Sequence, residues 1–402
     1  MLFIVKAQAQ TELNNYLKVA AENNPGLKAK FAEYNAALEQ IPQVGTLPDP
    51  KFSFGYFISP IETRVGPQKV KLGLSQMFPW FGTLNAKENV AVQMAKSKYE
   101  IFEEAKSKLF FEVKSTYYNV YFIQKGIEIT DENIRILNTF QQLAIIKIET
   151  GKSSIVDEMR VEMEINELKN QLAYLADSKS ALEVKFNKLL NNADRRPVVI
   201  PDTLWNDELP FSKEALRDSI ATQNHLVKQL EHKMLSWQNQ EVAAKKMGLP
   251  QFSVGFDYSV IGKSSNQNLG SENGQNAFLF PKIGISIPLY RKKYTAMVKE
   301  ASLNFEATQF KKVDKQNQLT YLFEKGFKDY KDADRRIELY QRQLRLADKS
   351  LNILLTSYSS DGGNFDEVLR MERKTLKYAL EYDKAKADKS AAVAFINYLL
   401  GK

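Results

Sequence analysis

The sequence contains no cysteine, and histidine occurs only at His225 and His232. The first absence removes disulfides, thiolate metal sites, a cysteine nucleophile and lipidation of a cysteine within this chain. The two histidines stand seven residues apart, near one face of a helix, with Glu231 directed elsewhere. A metal site needs more ligands than that, so none is expected. No segment offers the ~20 apolar residues of a membrane-spanning helix, an exclusion that leaves β-strands open, because a strand spans a membrane in about 9–11 residues. Charge of one sign is never concentrated. The 56 basic and 48 acidic residues give a net charge of +8 without a long basic run, the pattern of solvated helix faces and no nucleic-acid partner. There is no phosphate loop, since Gly151-Lys152-Ser153 lacks the glycine five residues before Gly151. No catalytic constellation stands out and no cofactor is expected, so the chain reads as a protein other than an enzyme. Its many carboxylates fit paired charges on helix surfaces.

What the chain does have is a duplication. "KFSFGYFISP" (51–60) returns as "QFSVGFDYSV" (251–260), and "KLGLS" (71–75) as "KIGIS" (282–286). Asn24 precedes Pro50 by the same distance as Asn224 precedes Pro250, and "FNKLLN" (186–191) matches "FINYLLG" (395–401). Such repeats decide the fold and must be found first. The repeats span 11–190 and 212–402, joined by a proline-rich, polar linker at 191–211 that reads as a loop. Residues 1–10, MLFIVKAQAQ, carry a short apolar run and a small-x-small Ala7-Gln8-Ala9, which reads as the tail of a secretory signal.

Each repeat has one order: a helix of about thirty residues, two strands, a very long helix, a glycine-marked turn and another helix. Long helices are expected at about 84–149, 156–190, 292–358 and 364–400. From Tyr330 the apolar or small positions Ala333, Ile337, Tyr340, Leu344, Ala347, Leu351, Leu354 and Tyr358 step by three and four. Val161 through Leu189 and Phe102 through Leu137 do the same, the heptad seam of helices packed side by side. A helix over 84–149 would be roughly 100 Å long.

The strands, expected at about 51–59, 69–78, 251–260 and 279–289, follow a period of two. Phe52, Phe54 and Tyr56 alternate with Ser53 and Gly55, and Val70, Leu72 and Leu74 with Lys71, Gly73 and Ser75. Phe252, Val254 and Phe256 alternate with Ser253 and Gly255, and Ile283, Ile285 and Ile287 with Gly284 and Ser286. One apolar and one small or polar face marks a sheet wet on one side only. Aromatics gather toward the strand ends at Phe78, Trp80, Phe81, Phe278, Phe280 and Tyr290, where a membrane girdle would lie. The apolar strand residues are therefore expected to face lipid. Pro42, Pro48, Pro50 and Pro250 read as helix-to-strand transitions. Four strands cannot close a barrel, and an open edge in lipid leaves backbone groups unsatisfied. Three chains would supply twelve strands, enough for a water-filled lumen, whereas two would supply a filled barrel of eight.

At this point the chain resembles the outer-membrane efflux protein family, the TolC-like exit ducts of Gram-negative bacteria. The resemblance rests on the repeat, the strand–loop–strand insert in each half, "FPWFG" at 78–82, Pro288-Leu289, and two turn motifs. These are "IETGKSSIVDEMRVEMEINEL" (148–168) and "SYSSDGGNFDEVLRMERKTL" (357–376). It implies a fold mainly α with membrane β: a homotrimer sharing a twelve-stranded β-barrel in the outer membrane and an α-helical barrel in the periplasm. The N-terminal and linker segments would form an equatorial belt, and the turns would dock a periplasmic adaptor protein linked to an inner-membrane pump. The residues expected at that tip are Gly151, Lys152, Ser153 and Asp157 from one turn, and Tyr358, Asp361, Gly362, Gly363 and Asp366 from the other. The carboxylates could ring the axis and select cations, or simply cap helices and face their dipoles. A soluble, elongated coiled-coil scaffold is the competing reading; it explains the heptads but not the four aromatic strands.

Overall fold

The computed structural model describes residues 2–194, 196–265, 267–360 and 364–402, without the side chains of 2–10, 267–269 and 277–280. The elements run α1 (Leu2–Asn23), α2 (Pro25–Gly45), β1 (Lys51–Thr63), β2 (Gly66–Phe78), α3 (Thr83–Glu149) and α4 (Ile155–Leu189) in the first repeat. The second has α5 (Lys213–Gln223), α6 (His225–Met247), β3 (Gln251–Ile261), β4 (Ala277–Ser286), α7 (Arg291–Ser359) and α8 (Phe365–Leu399). The chain forms two compact units, and both repeats contribute to each. A helical unit comprises residues 1–31, 101–227 and 315–402, and a sheet unit 32–100 and 228–314. Among the described residues no helix is long and apolar enough to cross a membrane.

In the helical unit the heptad positions form the core. Val113, Tyr117 and Tyr121 of α3 are fully buried with Phe186 of α4 and Leu13 and Ala20 of α1. The second repeat builds the corresponding cluster from Leu216 and Ile220 of α5, Phe323 of α7 and Ile396 and Leu399 of α8. A third cluster joins both repeats through Leu137, Val161, Ile165, Leu351, Val368 and Leu369. The 191–211 segment, among its described residues, lacks helix and strand but is pinned to the helices. Asn187 Nδ2 donates to Arg196 O at 2.9 Å, Val199 N donates to Tyr16 Oη at 3.2 Å, and Tyr118 Oη donates to Asp207 Oδ2 at 3.4 Å. Burial pushes the Asp207 carboxyl up and the neighbouring Lys114 ammonium down.

The expected thirty-residue opening helix of each repeat is in fact two helices, broken at Asn24 and at Asn224. Both asparagines do the same two things. The side-chain oxygen accepts from a backbone N–H that opens the next helix (Leu27 N, 3.1 Å; Leu226 N, 3.0 Å). The side-chain amide donates to the last turn of the repeat's final helix (Leu189 O, 3.0 Å; Leu399 O, 2.9 Å). Those final helices also end alike. Asn191 (φ 54°) and Gly401 (φ 76°) take the left-handed conformation, with Asn192 N donating to Asn187 O and Lys402 N to Asn397 O. Such a cap admits asparagine and glycine with least strain. Pro42 lies inside α2 and marks no transition. The stretch at 2–10 is helical and continuous with α1.

The sheet is antiparallel in the order β1-β2-β3-β4. The segment 60–68, expected as a loop, is mostly strand. Pro60 lacks a ladder N–H, and pairing breaks between Tyr56 and Ile61 but resumes to a tight turn at Arg64-Val65. β4 stops at Ser286, ahead of Pro288, and so falls short of residue 289.

Candidate functional site

Two places carry the residues singled out by the sequence, one in each unit. The first is the pair of turns in the helical unit. Gly151 (φ +66°) closes α3, with its N–H bonded to Ile148 O at 3.0 Å and Lys152 N to Lys147 O at 2.8 Å. This reversal needs a left-handed residue, and glycine takes it without strain. Ser154 then caps α4, its Oγ accepting from Val156 N at 3.2 Å. Asn364 caps α8, its Oδ1 accepting from Asp366 N at 3.0 Å. The capping role expected of the aspartates thus falls on Ser154 and Asn364, while Asp157 and Asp366 sit in the first turns, where a carboxylate meets the positive end of the helix dipole.

Side chains join the two turns. Ser153 Oγ donates to Asp157 Oδ2 at 2.6 Å and lies 3.3 Å from Tyr358 Oη. Tyr358 is buried, its ring centroid 4.9 Å from that of Phe365. Lys147, also buried, donates to Tyr358 O and stands over the Tyr358 ring at 4.5 Å, so it binds a carbonyl of the last turn of α7, where helical C=O groups look outside the helix for donors. Arg160 reaches Asp157 at 3.5 Å and Asp366 at 3.8 Å. Ser153, Asp157, Tyr358 and Asp366 are therefore brought together, whereas Lys152 is exposed. Asp361, Gly362 and Gly363 lie outside the described residues. Lys147, Arg160 and Phe365 were not foreseen, although Lys147 continues the seam beyond Leu137, Phe140 and Ala144 at the same spacing. Farther along the helices Asn133 Nδ2 donates to Glu372 Oε1. Burial pushes the Glu372 carboxyl up from its ordinary value.

The second place is the sheet. Opposed residues share a face, and one face is apolar across all four strands: Phe52 pairs with Leu74 and Leu74 with Phe256, Phe54 with Leu72 and Leu72 with Tyr258, and Val254 with Ile283. This face is open. Phe52, Phe54 and Tyr56 are 65–69% exposed and Ile283 82%. Leu74, Val254, Phe256, Ile285 and Ile287 are exposed too, and Val70, Leu72 and Phe252 are half-buried. At its border Trp80 stacks on Phe252 at 5.8 Å, and Phe81 and Tyr290 are exposed. The aromatics expected at 278 and 280 have side chains outside the description. The opposite face holds Ser53, Gly73, Ser75, Ser253, Gly255 and Gly284, with Asp257 between Lys71 and Lys282.

The histidines are separately engaged, His225 Nε2 lying 3.2 Å from Gly401 O and His232 Nδ1 3.0 Å from Gln93 Oε1. Among the described residues no group of three or more potential metal ligands forms.

Residues 16–192, close to the span of the first repeat, match the family model for outer membrane efflux proteins. No curated protein matches the chain by sequence. Solved structures match it over nearly its whole length. The outer membrane protein VceC of Vibrio cholerae is 14% identical with a TM-score of 0.79, covering 98% of this chain and 97% of its own. The MtrE outer membrane channel of Neisseria gonorrhoeae is 16% identical with a TM-score of 0.76, covering 97% and 89%. The CmeC outer membrane channel of Campylobacter jejuni is 15% identical with a TM-score of 0.76, covering 97% and 85%. The first repeat thus carries the signature of the outer membrane efflux proteins, and the whole chain has the TolC-like fold of outer-membrane channels.

Proposed function

We propose that the chain is one third of an outer-membrane exit duct, passing solutes outward from an inner-membrane pump and a periplasmic adaptor and catalysing no reaction itself. The observation that carries this reading is the exposed apolar face spread in register over four antiparallel strands. In water that face would be a large exposed patch of a kind monomeric proteins rarely keep; against lipid it is the expected surface of a barrel wall. Within one chain β1 and β4 each have a single neighbour. Pairing those edges with further copies satisfies their backbone groups, and three copies make twelve strands. The polar face would line the lumen. The joined turns around Ser153, Asp157, Tyr358 and Asp366 are the surface proposed to meet the adaptor, with most of the chain in the periplasm of a Gram-negative cell. The scaffold reading accounts for the heptad cores alone.

The test is fractionation of cells expressing the chain, followed by conductance in planar bilayers. Sedimentation with outer membranes, release only by detergent and channel currents are expected. A protein free in the soluble fraction, without conductance, would overturn the reading.

A further inference from the structure

We infer that the polar face of the sheet is an anion-attracting wall of the lumen, built by Lys51, Lys71 and Lys282 around the single carboxylate of Asp257; this deepens the duct reading and rests on it. Lys71 Nζ lies 2.9 Å from Asp257 Oδ2 and Lys282 Nζ 2.7 Å from Oδ1, so one carboxylate is held between cations of two neighbouring strands. The Asp257 side chain is 7% exposed, whereas those of Lys71 and Lys282 are 46% and 48% exposed. The negative charge is thus covered and the positive charge presented. Gly73 stands directly opposite Asp257, and a Cβ there would come within 2.7 Å of Oδ1. That glycine lets the carboxylate lie flat on the sheet beneath the ammonium groups.

The imbalance comes from the duplication. Lys71 and Lys282 open the repeated "KLGLS" and "KIGIS", so each repeat supplies one lysine. The position of Asp257 in the first repeat is Phe57, so only one repeat supplies a carboxylate. Lys51 adds to the excess, being opposite Ser75, itself opposite Gly255, which faces Lys282. The other residues paired on this face carry no charge, leaving three cations against one anion in its regular part. Closing copies of the sheet around an axis repeats that excess on every chain. Fixed charge of one sign in a cleft with low-dielectric walls concentrates the opposite ion. The solutes favoured are anions, such as carboxylates and phosphates, drawn along the wall and not held at a site.

Because the chain has no cysteine, an introduced thiol is the sole target of a thiol reagent. The experiment places Ser75→Cys on the polar face and measures its modification in reconstituted protein by a sulfonate-bearing and by an ammonium-bearing methanethiosulfonate. The ratio of the two rates cancels any change in the thiol's own reactivity. At low ionic strength the anionic reagent is expected to win by about tenfold. Lys71→Gln with Lys282→Gln should bring the ratio toward one, and the milder Asp257→Asn should raise it. Equal rates in the parent, a ratio indifferent to these substitutions, or a thiol inert to both reagents would overturn the inference. A thiol at Val254→Cys, on the apolar face, reads the duct assignment separately. If it reacts with both water-borne reagents as fast as Ser75→Cys, the face does not meet lipid and the duct reading itself falls.

Discussion

The helical unit and the sheet unit sort the same kinds of residue in opposite ways. In the helical unit Val113, Tyr117 and Phe323 are wholly shielded in the packed seams. In the sheet Phe52, Phe54 and Ile283 stand open while the charged Asp257 is covered. The hydrophobic effect drives burial only against water. The two opposite arrangements within one chain are what the proposed duct requires, with water around the helices and lipid against one face of the sheet.

Substitutions can break or sharpen that contrast. The largest effect is expected inside the helices. Phe323→Ala should cost about 3–5 kcal/mol, because the ring leaves a cavity in a filled core, and thermal unfolding in detergent would read it. Next comes the apolar face of the sheet, where Val254→Arg should cost about 2–4 kcal/mol in a bilayer, as a lipid-facing cation does. The folded fraction after reconstitution measures this; a tolerated arginine would mean water lies against that face. Glu372→Gln separates a buried acid from an open one. The folded Glu372 carboxyl titrates above its ordinary value of 4.5. Its stabilising protonated form is fully present below that pH and is lost as pH rises through the folded value. The variant should gain on the parent over that interval, by about 1.4 kcal/mol for each unit by which the value is raised. Melting temperatures against pH would show it. The smallest effect compares the repeats. Asn24→Ala and Asn224→Ala should each cost about 1–2 kcal/mol, since each removes a helix cap and one further bond. A large inequality between them would deny the equivalence of the two geometries.

Much of this was legible in the sequence, for local reasons. Every seam position from Tyr330 to Tyr358 is buried or half-buried, because a helical stripe depends only on spacing. The two faces of the strands were equally plain, since alternation is local too. What escaped needed partners far along the chain. The breaks at Asn24 and Asn224 were hidden because both asparagines reach carbonyls 165 and 175 residues away. Lys147 finds its acceptor, Tyr358 O, in α7, 211 residues along the chain. The lysine pair around Asp257 requires the β2–β3 and β3–β4 registers, and no spacing within one strand reveals them. The continuation of β1 past Pro60 by way of a bulge likewise depends on its pairing with β2.

The most direct test of the central claim, that the sheet is a share of a lipid-facing barrel, is the mass of the detergent-extracted protein by light scattering, corrected for bound detergent. The account predicts an assembly of three 46.0 kDa chains that leaves the membrane only with detergent. A monomer or dimer that stays soluble without detergent would contradict it.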